Sequence, residues 1–231
     1  MSESLQLQHL KAAELEQEQR RGILILDTRP PEEFAAFHIS GSIQIGLMGS
    51  FGSWAAILIG PSHRILLVTK NANCAQEAQS RLARVGLENV VGYTFADKQL
   101  WQRHGLELIS LPKYRCEDVC HALRENPSSQ LIDVRSWAEW LQGHLPGAIS
   151  MPLLELDGQI GSINSSKPIL VYSQGEYRAM IAASMLLRVH VGDIGILTGG
   201  VQEWQACGMS FKTPHEKHIN ESPFGRTPRT S

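Results

Sequence analysis

Residues 170–183 read Leu170-Val-Tyr-Ser-Gln-Gly-Glu-Tyr-Arg-Ala-Met-Ile-Ala-Ala183, and the rest of the chain is organised around them. The apolar start predicts a buried strand, the six residues from Ser173 to Arg178 predict a loop, and the remainder predicts a helix. A loop that enters a helix in this way directs backbone N–H groups at one point, where the helix dipole adds partial positive charge. The sequence therefore predicts an anion-binding loop with Ser173 at its base.

The same pattern occurs twice in the chain. The motif Asp-x-Arg-x-x-x-Glu stands at positions 27, 29 and 33 and again at 133, 135 and 139. The strand Ile65 to Thr69 aligns with Ile169 to Ser173. The repeat is too long for a solenoid unit and has the length of a small domain, so we infer a duplicated domain.

Short apolar segments alternate with helical patterns in each half, which predicts an α/β fold. We expect two domains, each a mostly parallel sheet of about five strands with helices on both faces. The predicted boundaries are residues 1–107 for the first domain, 108–114 for a linker, 115–211 for the second domain and 212–231 for a polar tail. The segment from Phe51 to Ile59 fits either a helix or a loop. Residues 3–21 fit a helix.

Composition excludes several classes of function. The 231 residues carry a net charge of −2, so no general attraction to nucleic acid or to an anionic membrane is expected. No apolar stretch is long enough to cross a membrane, and the polar N-terminus is unlike a signal peptide. The four scattered cysteines are interpreted as reduced thiols of a cytoplasmic protein.

No metal or other cofactor is predicted. Cys116 and Cys120 lie one helical turn apart among apolar residues, which favours core packing over a metal pair. His215 and His218 lie in the polar tail, and no metal role is expected for them there.

Three separated segments of the second half resemble the signatures of rhodanese domains: Asp133 to Ala148, Val171 to Ala179 and Leu197 to Trp204. Their order and spacing make the resemblance specific, and the first half carries a weaker copy. The chain is most similar to the tandem rhodanese region that follows a metallo-β-lactamase-like domain in some persulfide-handling proteins. The His-x-His-x-Asp-His motif of that metal domain is absent from the chain.

The resemblance implies that active members carry a cysteine where this chain has Ser173. That cysteine takes up a sulfane sulfur as a persulfide and passes it to a thiol or to cyanide. A serine hydroxyl stays protonated at neutral pH, no base is visible in the loop to activate it, and it cannot form the S–S bond that stores sulfur. The corresponding position in the first half is Thr69, with the same consequence.

We therefore expect a pseudoenzyme that binds a small sulfur anion, such as thiosulfate or a persulfide, or a thiol-bearing protein. Its oligomeric state is left open. The expected anion-binding loop comprises Ser173, Gln174, Gly175, Glu176, Tyr177 and Arg178. The degenerate loop of the first half comprises Thr69, Lys70, Asn71, Ala72, Asn73 and Cys74.

Other prominent residues are expected to have structural roles. Turn caps and hydrogen-bonded framework groups are predicted at four recurring positions: Asp27, Asp133, His38 and His144. Spacing of four residues predicts ion pairs of Arg29 with Glu33 and of Arg135 with Glu139. The tryptophans are expected in the core or at the domain interface: Trp54, Trp101, Trp137, Trp140 and Trp204.

Two residues have a functional and a structural interpretation. Arg178 either contacts an anion or pairs with a carboxylate such as Glu176. Cys74 is either a reactive thiol at a helix start or an ordinary buried or partly exposed cysteine.

Two alternative functions remain open beside the binding module. One is an active sulfurtransferase whose cysteine at position 173 has been replaced by serine, a common isosteric exchange. The other is phosphatase chemistry on the related fold. That chemistry needs Cys-x5-Arg, whereas the chain has Ser173-x4-Arg178, and the shorter spacing argues against it.

Overall fold

The structure is a computed structural model that describes residues 7–125, 129–189 and 193–213. The elements of the first half are α1 (Ala12–Arg20), β1 (Leu24–Asp27), α2 (Pro31–Ala36), β2 (His38–Ile39), β3 (Ile43–Gln44), α3 (Phe51–Leu58), β4 (Ile65–Thr69), α4 (Ala72–Ala83), β5 (Val90–Phe95), α5 (Lys98–Arg103) and β6 (Leu108–Ile109). Those of the second half are β7 (Lys113–Tyr114), α6 (Cys116–Glu125), β8 (Gln130–Asp133), α7 (Trp137–Leu141), β9 (Ile149–Ser150), α8 (Leu156–Gln159), β10 (Ile169–Tyr172), α9 (Glu176–Arg188), β11 (Ile194–Leu197) and α10 (Gly200–Ala206).

Each half forms a parallel sheet surrounded by helices, which confirms the predicted fold class. The first sheet has the strand order β3-β1-β4-β5, and the second has the order β7-β11-β10-β8-β9. The central strands are buried along their whole length because helices cover both faces. No helix of the described residues is long and apolar enough to cross a membrane.

The segment predicted as a linker, residues 108–114, contributes a short strand to each half. Strand β6 pairs antiparallel with β2 in the first half. Strand β7 pairs parallel with β11 in the second half. The chain therefore passes from one half to the other while its backbone stays hydrogen-bonded to both.

Two other predictions of local structure are refined. The undecided segment is the helix α3, from Phe51 to Leu58. The helix predicted over residues 3–21 begins only at Ala12, and residues 1–6 lie outside the described part. Residues 8–10 lie along β5, where the Leu10 N–H donates to the Tyr93 carbonyl at 2.8 Å. Gly92 permits this approach, since a Cβ there would lie 2.0 Å from the Leu10 side chain.

A buried ion pair follows the first strand of each half. Arg135 makes a 2.7 Å ion pair with Asp133, and its guanidinium also donates to the Gly143 carbonyl. Asp27 and Arg29 repeat the arrangement at 2.6 Å. The predicted pairs with Glu33 and Glu139 are wrong. In each half the arginine instead binds the aspartate two residues before it, which is the last residue of the strand.

The two recurring histidines are framework residues, as predicted. His38 Nδ1 lies 2.8 Å from the Phe34 carbonyl oxygen, and its ring stacks on Phe34. His144 Nδ1 lies 3.3 Å from the Trp140 carbonyl oxygen, and its ring stacks on Trp140. Burial lowers the pKa of His38 to about 4, so that histidine is neutral at physiological pH.

The prediction that all four cysteines are reduced thiols is wrong for two of them. Cys116 and Cys207 form a disulfide across 91 residues. Cys74 and Cys120 take no part in a disulfide. Sequence spacing gave no sign of the pair, because the fold alone brings the start of α6 to the end of α10.

The tryptophans follow the prediction only in part. Trp101 and Trp204 are buried at equivalent places, in the closing helices α5 and α10. Trp137, in contrast, is 58% exposed, and it stacks on Trp140 at the surface of α7.

Helix α9 joins the two halves. It packs on its own sheet and also on strand β3, where the Gln44 N–H donates to Ser184 Oγ at 3.0 Å. At its N-terminal end, the Tyr177 hydroxyl donates to the Gly46 carbonyl at 2.9 Å. Apolar residues of both halves form one continuous cluster around this helix. The start of α9, which carries the predicted site, is therefore fixed by contacts with both halves.

Removing the cation of the buried ion pair in the second half is expected to lower the stability of the fold strongly. Arg135→Met leaves the fully buried Asp133 carboxylate without its cation, and we expect the free energy of unfolding to fall by about 3–5 kcal/mol. Arg188→Met, at the exposed end of α9, is the matched control and should change stability by less than about 0.5 kcal/mol. Urea unfolding measures both, and equal effects of the two substitutions would contradict the assignment.

Candidate functional site

The loop at the start of α9 is shorter than predicted, because the helix begins at Glu176. Only Ser173, Gln174 and Gly175 lie between β10 and α9. The chain ends a parallel strand here, at the edge of the sheet where ligands bind in such folds. The predicted anion-binding loop therefore consists of a three-residue connection and the first turn of a helix.

Ser173 lies at the base of this connection and is 1% exposed. Its hydroxyl donates to the carbonyl of Gly175. Its own carbonyl accepts a hydrogen bond from the Val201 N–H at 3.0 Å. The hydroxyl and the carbonyl of Ser173 are thus both held by the surrounding backbone.

The corresponding loop in the first half has the same internal hydrogen bond but a different helix start. The Thr69 hydroxyl donates to the carbonyl of Asn71 at 3.0 Å. The Asn71 side chain then accepts the Cys74 N–H at 2.9 Å and caps α4. In the second half Gly175 holds the equivalent cap position, and no side chain caps the start of α9. The first turn of α9 is therefore the more open of the two towards an incoming acceptor.

Arg178 pairs with Glu139 and not with Glu176. Its guanidinium makes two hydrogen bonds to the Glu139 carboxylate, at 2.7 and 2.6 Å. Hydrogen bonding to Arg178 lowers the pKa of Glu139 to about 2. The capping Ser136 side chain and N–H hold the same carboxylate in place. The positive charge of Arg178 is thus already paired within the protein.

Glu176 has a different partner on the opposite side of the loop. Its carboxylate forms a 2.7 Å ion pair with Lys113 and accepts the Gly199 N–H at 3.3 Å. Strand β7 and the start of α10 therefore brace the first turn of α9. Glu176 is a positioning group for the loop, and it does not neutralise Arg178.

A cavity of about 390 Å³ lies beside the loop and is shared by both halves. The second half contributes Ser173, Gly175, Glu176, Tyr177 and Arg178, and Gln174 is half-buried in the same loop. The first half contributes Ser50 and Trp54, at the start of α3. Sequence reasoning missed these two residues because the structure of their segment could not be decided from the sequence. The role of Glu139 was also missed, since its motif suggested Arg135 as the partner.

Cys74 lines a separate cavity of about 290 Å³, together with Lys70, Arg29 and Met48. Tyr177 borders this cavity as well as the one beside Ser173. Burial raises the pKa of Tyr177 to about 12, so its hydroxyl stays protonated while it donates to Gly46. The remaining loop residues of the first half, Lys70 to Asn73, are exposed.

The chain belongs to the rhodanese-like domain family, whose model matches residues 11–94 and 117–207. A protein named sulfurtransferase from Allochromatium vinosum is 24% identical over 98 residues, which cover 42% of this chain and 92% of that protein. An HTH-type transcriptional regulator of Mycobacterium tuberculosis is 31% identical over 87 residues, which cover 37% of this chain and 38% of the regulator.

Among solved structures, a thiosulfate sulfurtransferase from Pseudomonas aeruginosa aligns with 90% of this chain and 44% of its own length. The identity is 18% and the TM-score is 0.42. This chain thus spans less than half of that enzyme and of the regulator.

The Arg178–Glu139 pair predicts a pH-dependent contribution to stability. The folded-state pKa of Glu139 lies below its usual value of 4.5, so the pair stabilises the fold above about pH 4.5 and loses this effect as the pH falls towards about 2. Because Glu139 is partly exposed, we expect Glu139→Gln to cost about 1–2 kcal/mol at pH 7.

Urea unfolding between about pH 7 and pH 3 measures this effect. The stability difference between the wild type and Glu139→Gln should shrink as the pH falls. Glu32→Gln, at an exposed position of α2, is the control and should show no such trend. A difference between wild type and Glu139→Gln that is constant with pH would show that the pair does not form in solution.

Proposed function

We propose that this chain is a rhodanese-like binding module that does not carry sulfur on residue 173. The cavity beside α9 then receives a sulfur-bearing group, and the covalent chemistry stays on the partner. One observation carries the proposal: the residue at the base of the loop is a serine whose hydroxyl is engaged with the Gly175 carbonyl. A cytoplasmic location and the absence of nucleic-acid and membrane partners remain part of the proposal.

The chemistry of residue 173 supports the inactive assignment. In sulfur transfer from thiosulfate, a thiolate attacks the outer sulfur, sulfite leaves with the electron pair of the S–S bond, and the enzyme keeps a persulfide. Ser173 supplies neither a thiolate nor an atom that can hold sulfur through an S–S bond. Its hydrogen-bond acceptor is a backbone carbonyl, which is not a base at neutral pH. Thr69 has the same limitation in the first half.

The charges around the cavity support a partner of low charge. Arg178 is neutralised by Glu139, and Glu176 is neutralised by Lys113. The attraction for an anion therefore comes mainly from the backbone N–H groups and the dipole at the start of α9. This attraction is weak for a free dianion, because water solvates the dianion strongly. Trp54 offers an apolar wall to the same cavity. We infer that a cysteine thiol or persulfide on a partner protein fits better than free thiosulfate.

The second candidate is an active sulfurtransferase in which serine replaces a cysteine at position 173. It is favoured by the rest of the second loop, where Gly175 and Arg178 remain in place, and by the relative that carries the name sulfurtransferase. Sequencing of the gene at codon 173 separates the two candidates. A cysteine codon supports the enzyme, and a serine codon supports the binding module.

Turnover of thiosulfate and cyanide to thiocyanate tests the proposed function. The protein with Ser173 should show no activity above the uncatalysed background. Ser173→Cys should raise the rate at least about tenfold, because the thiol then lies at the open start of α9.

Thr69→Cys is the matched control and should give no activity, since the Asn71 side chain already occupies the helix start. Turnover by the unmodified protein that survives Cys74→Ala would overturn the assignment of residue 173. Turnover that Cys74→Ala abolishes would instead place the chemistry in the first half.

A further inference from the structure

The disulfide of the second half joins its first helix, α6, to its last helix, α10. Cys116 is the first residue of α6 and is fully buried. Cys207 directly follows α10 and is half-buried, with its sulfur 3.5 Å from a carboxylate oxygen of Glu117. The bond therefore fixes the C-terminal end of α10 to the start of α6, and Cys207 is the more exposed of its two residues.

The opposite end of α10 supports the candidate site. The Val201 N–H donates to the Ser173 carbonyl at 3.0 Å. The Gly199 N–H donates to Glu176 Oε1 at 3.3 Å. Gly200 packs so closely that a Cβ there would lie 2.2 Å from the Ser173 carbonyl oxygen. The first turn of α10 is thus in direct backbone contact with the loop from Ser173 to Arg178.

A short, stiff element connects the disulfide to this contact. Helix α10 has seven residues, which corresponds to a length of about 10 Å. Its only large buried anchors between the two ends are Val201 and Trp204 within the described residues. Cys207 and the contacts of Gly199 and Val201 with the loop thus lie at the two ends of one short helix.

We propose that the Cys116–Cys207 disulfide is a redox-responsive site that controls the order of the loop from Ser173 to Arg178. The disulfide holds α10 against the loop, and reduction releases the C-terminal end of α10 and loosens the loop. This control does not depend on which molecule occupies the neighbouring cavity.

The chemistry is ordinary thiol–disulfide exchange. A thiolate of a low-molecular-weight dithiol attacks the Cys207 sulfur, since the Cys116 sulfur is buried. The bond between the two cysteines breaks, and Cys116 leaves with the electron pair and takes up a proton. The second thiolate of the reductant then attacks the mixed disulfide, so that Cys207 is released as a thiol and the reductant becomes a cyclic disulfide. A low-molecular-weight disulfide, such as oxidised glutathione, reverses the process and is itself reduced to two thiols.

Hydrogen–deuterium exchange of the full chain tests the proposal. The protein is oxidised with glutathione disulfide or reduced with dithiothreitol, and its intact mass shows whether two hydrogens have been gained. We expect amide exchange in residues 173–178 to become at least about threefold faster on reduction. Cys207→Ser should show the fast exchange with or without dithiothreitol.

Two controls locate the effect. Cys120→Ser removes a cysteine that lies outside the disulfide and should keep the full response to dithiothreitol. The loop of residues 69–74 in the first half should exchange at the same rate in both states. Unchanged exchange in residues 173–178 after verified reduction would overturn the proposal. An oxidised protein whose mass equals that of the reduced protein would also overturn it, because no disulfide would then have formed.

Discussion

Helix α9 is packed against two sheets at once, and both the joining of the two halves and the position of the candidate site depend on this packing. Its alanines, Ala179, Ala182 and Ala183, are fully buried and allow close approach to the sheet of its own half. Ser184 and Tyr177 bind backbone groups of the first half. A helix that is fully buried over residues 179–184 cannot tilt freely, so its first turn is held in place relative to both halves. The cavity beside Ser173 exists because α3 of the first half closes over that loop.

The two halves have diverged from one pattern in different ways. Both keep a buried Asp–Arg pair, a stacked histidine and a hydroxyl residue that bonds to the carbonyl two residues later. In the first half, the Asn71 side chain closes the helix start, and the loop is exposed. In the second half, the helix start stays open, while its charged groups are paired with neighbours. Under the proposed function, the second half serves recognition and the first half is mainly structural.

The sequence was sufficient for the fold because its signals are local. Continuous apolar segments such as residues 65–68 and 169–172 mark strands that are covered on both faces, and the repeated motifs indicate a duplication. The position of Ser173 at a strand end followed from the same pattern. The partners of charged groups could not be predicted in this way. Arg178 finds Glu139 because α7 and α9 meet in space, and a sequence separation of 39 residues carries no such information.

Other failures have the same physical origin. Two-residue strands such as β6 and β7 are stabilised by their neighbours and leave almost no pattern in the sequence. The Cys116–Cys207 bond depends on the positions of two helix ends that only the folded chain brings together. The contribution of Trp54 to the cavity depends on how the two halves pack. Tertiary contacts therefore decide the details of the site, while local sequence decides its location.

The central claim is that residue 173 cannot store sulfur, and mass spectrometry of the intact protein tests it most directly. After incubation with thiosulfate and removal of excess reagent, any added sulfur should lie on a cysteine, because no S–S bond can form at Ser173. Peptide mapping should likewise show the segment of residues 170–178 unmodified. A gain equal to the mass of one sulfur atom, located on that segment, would contradict the account.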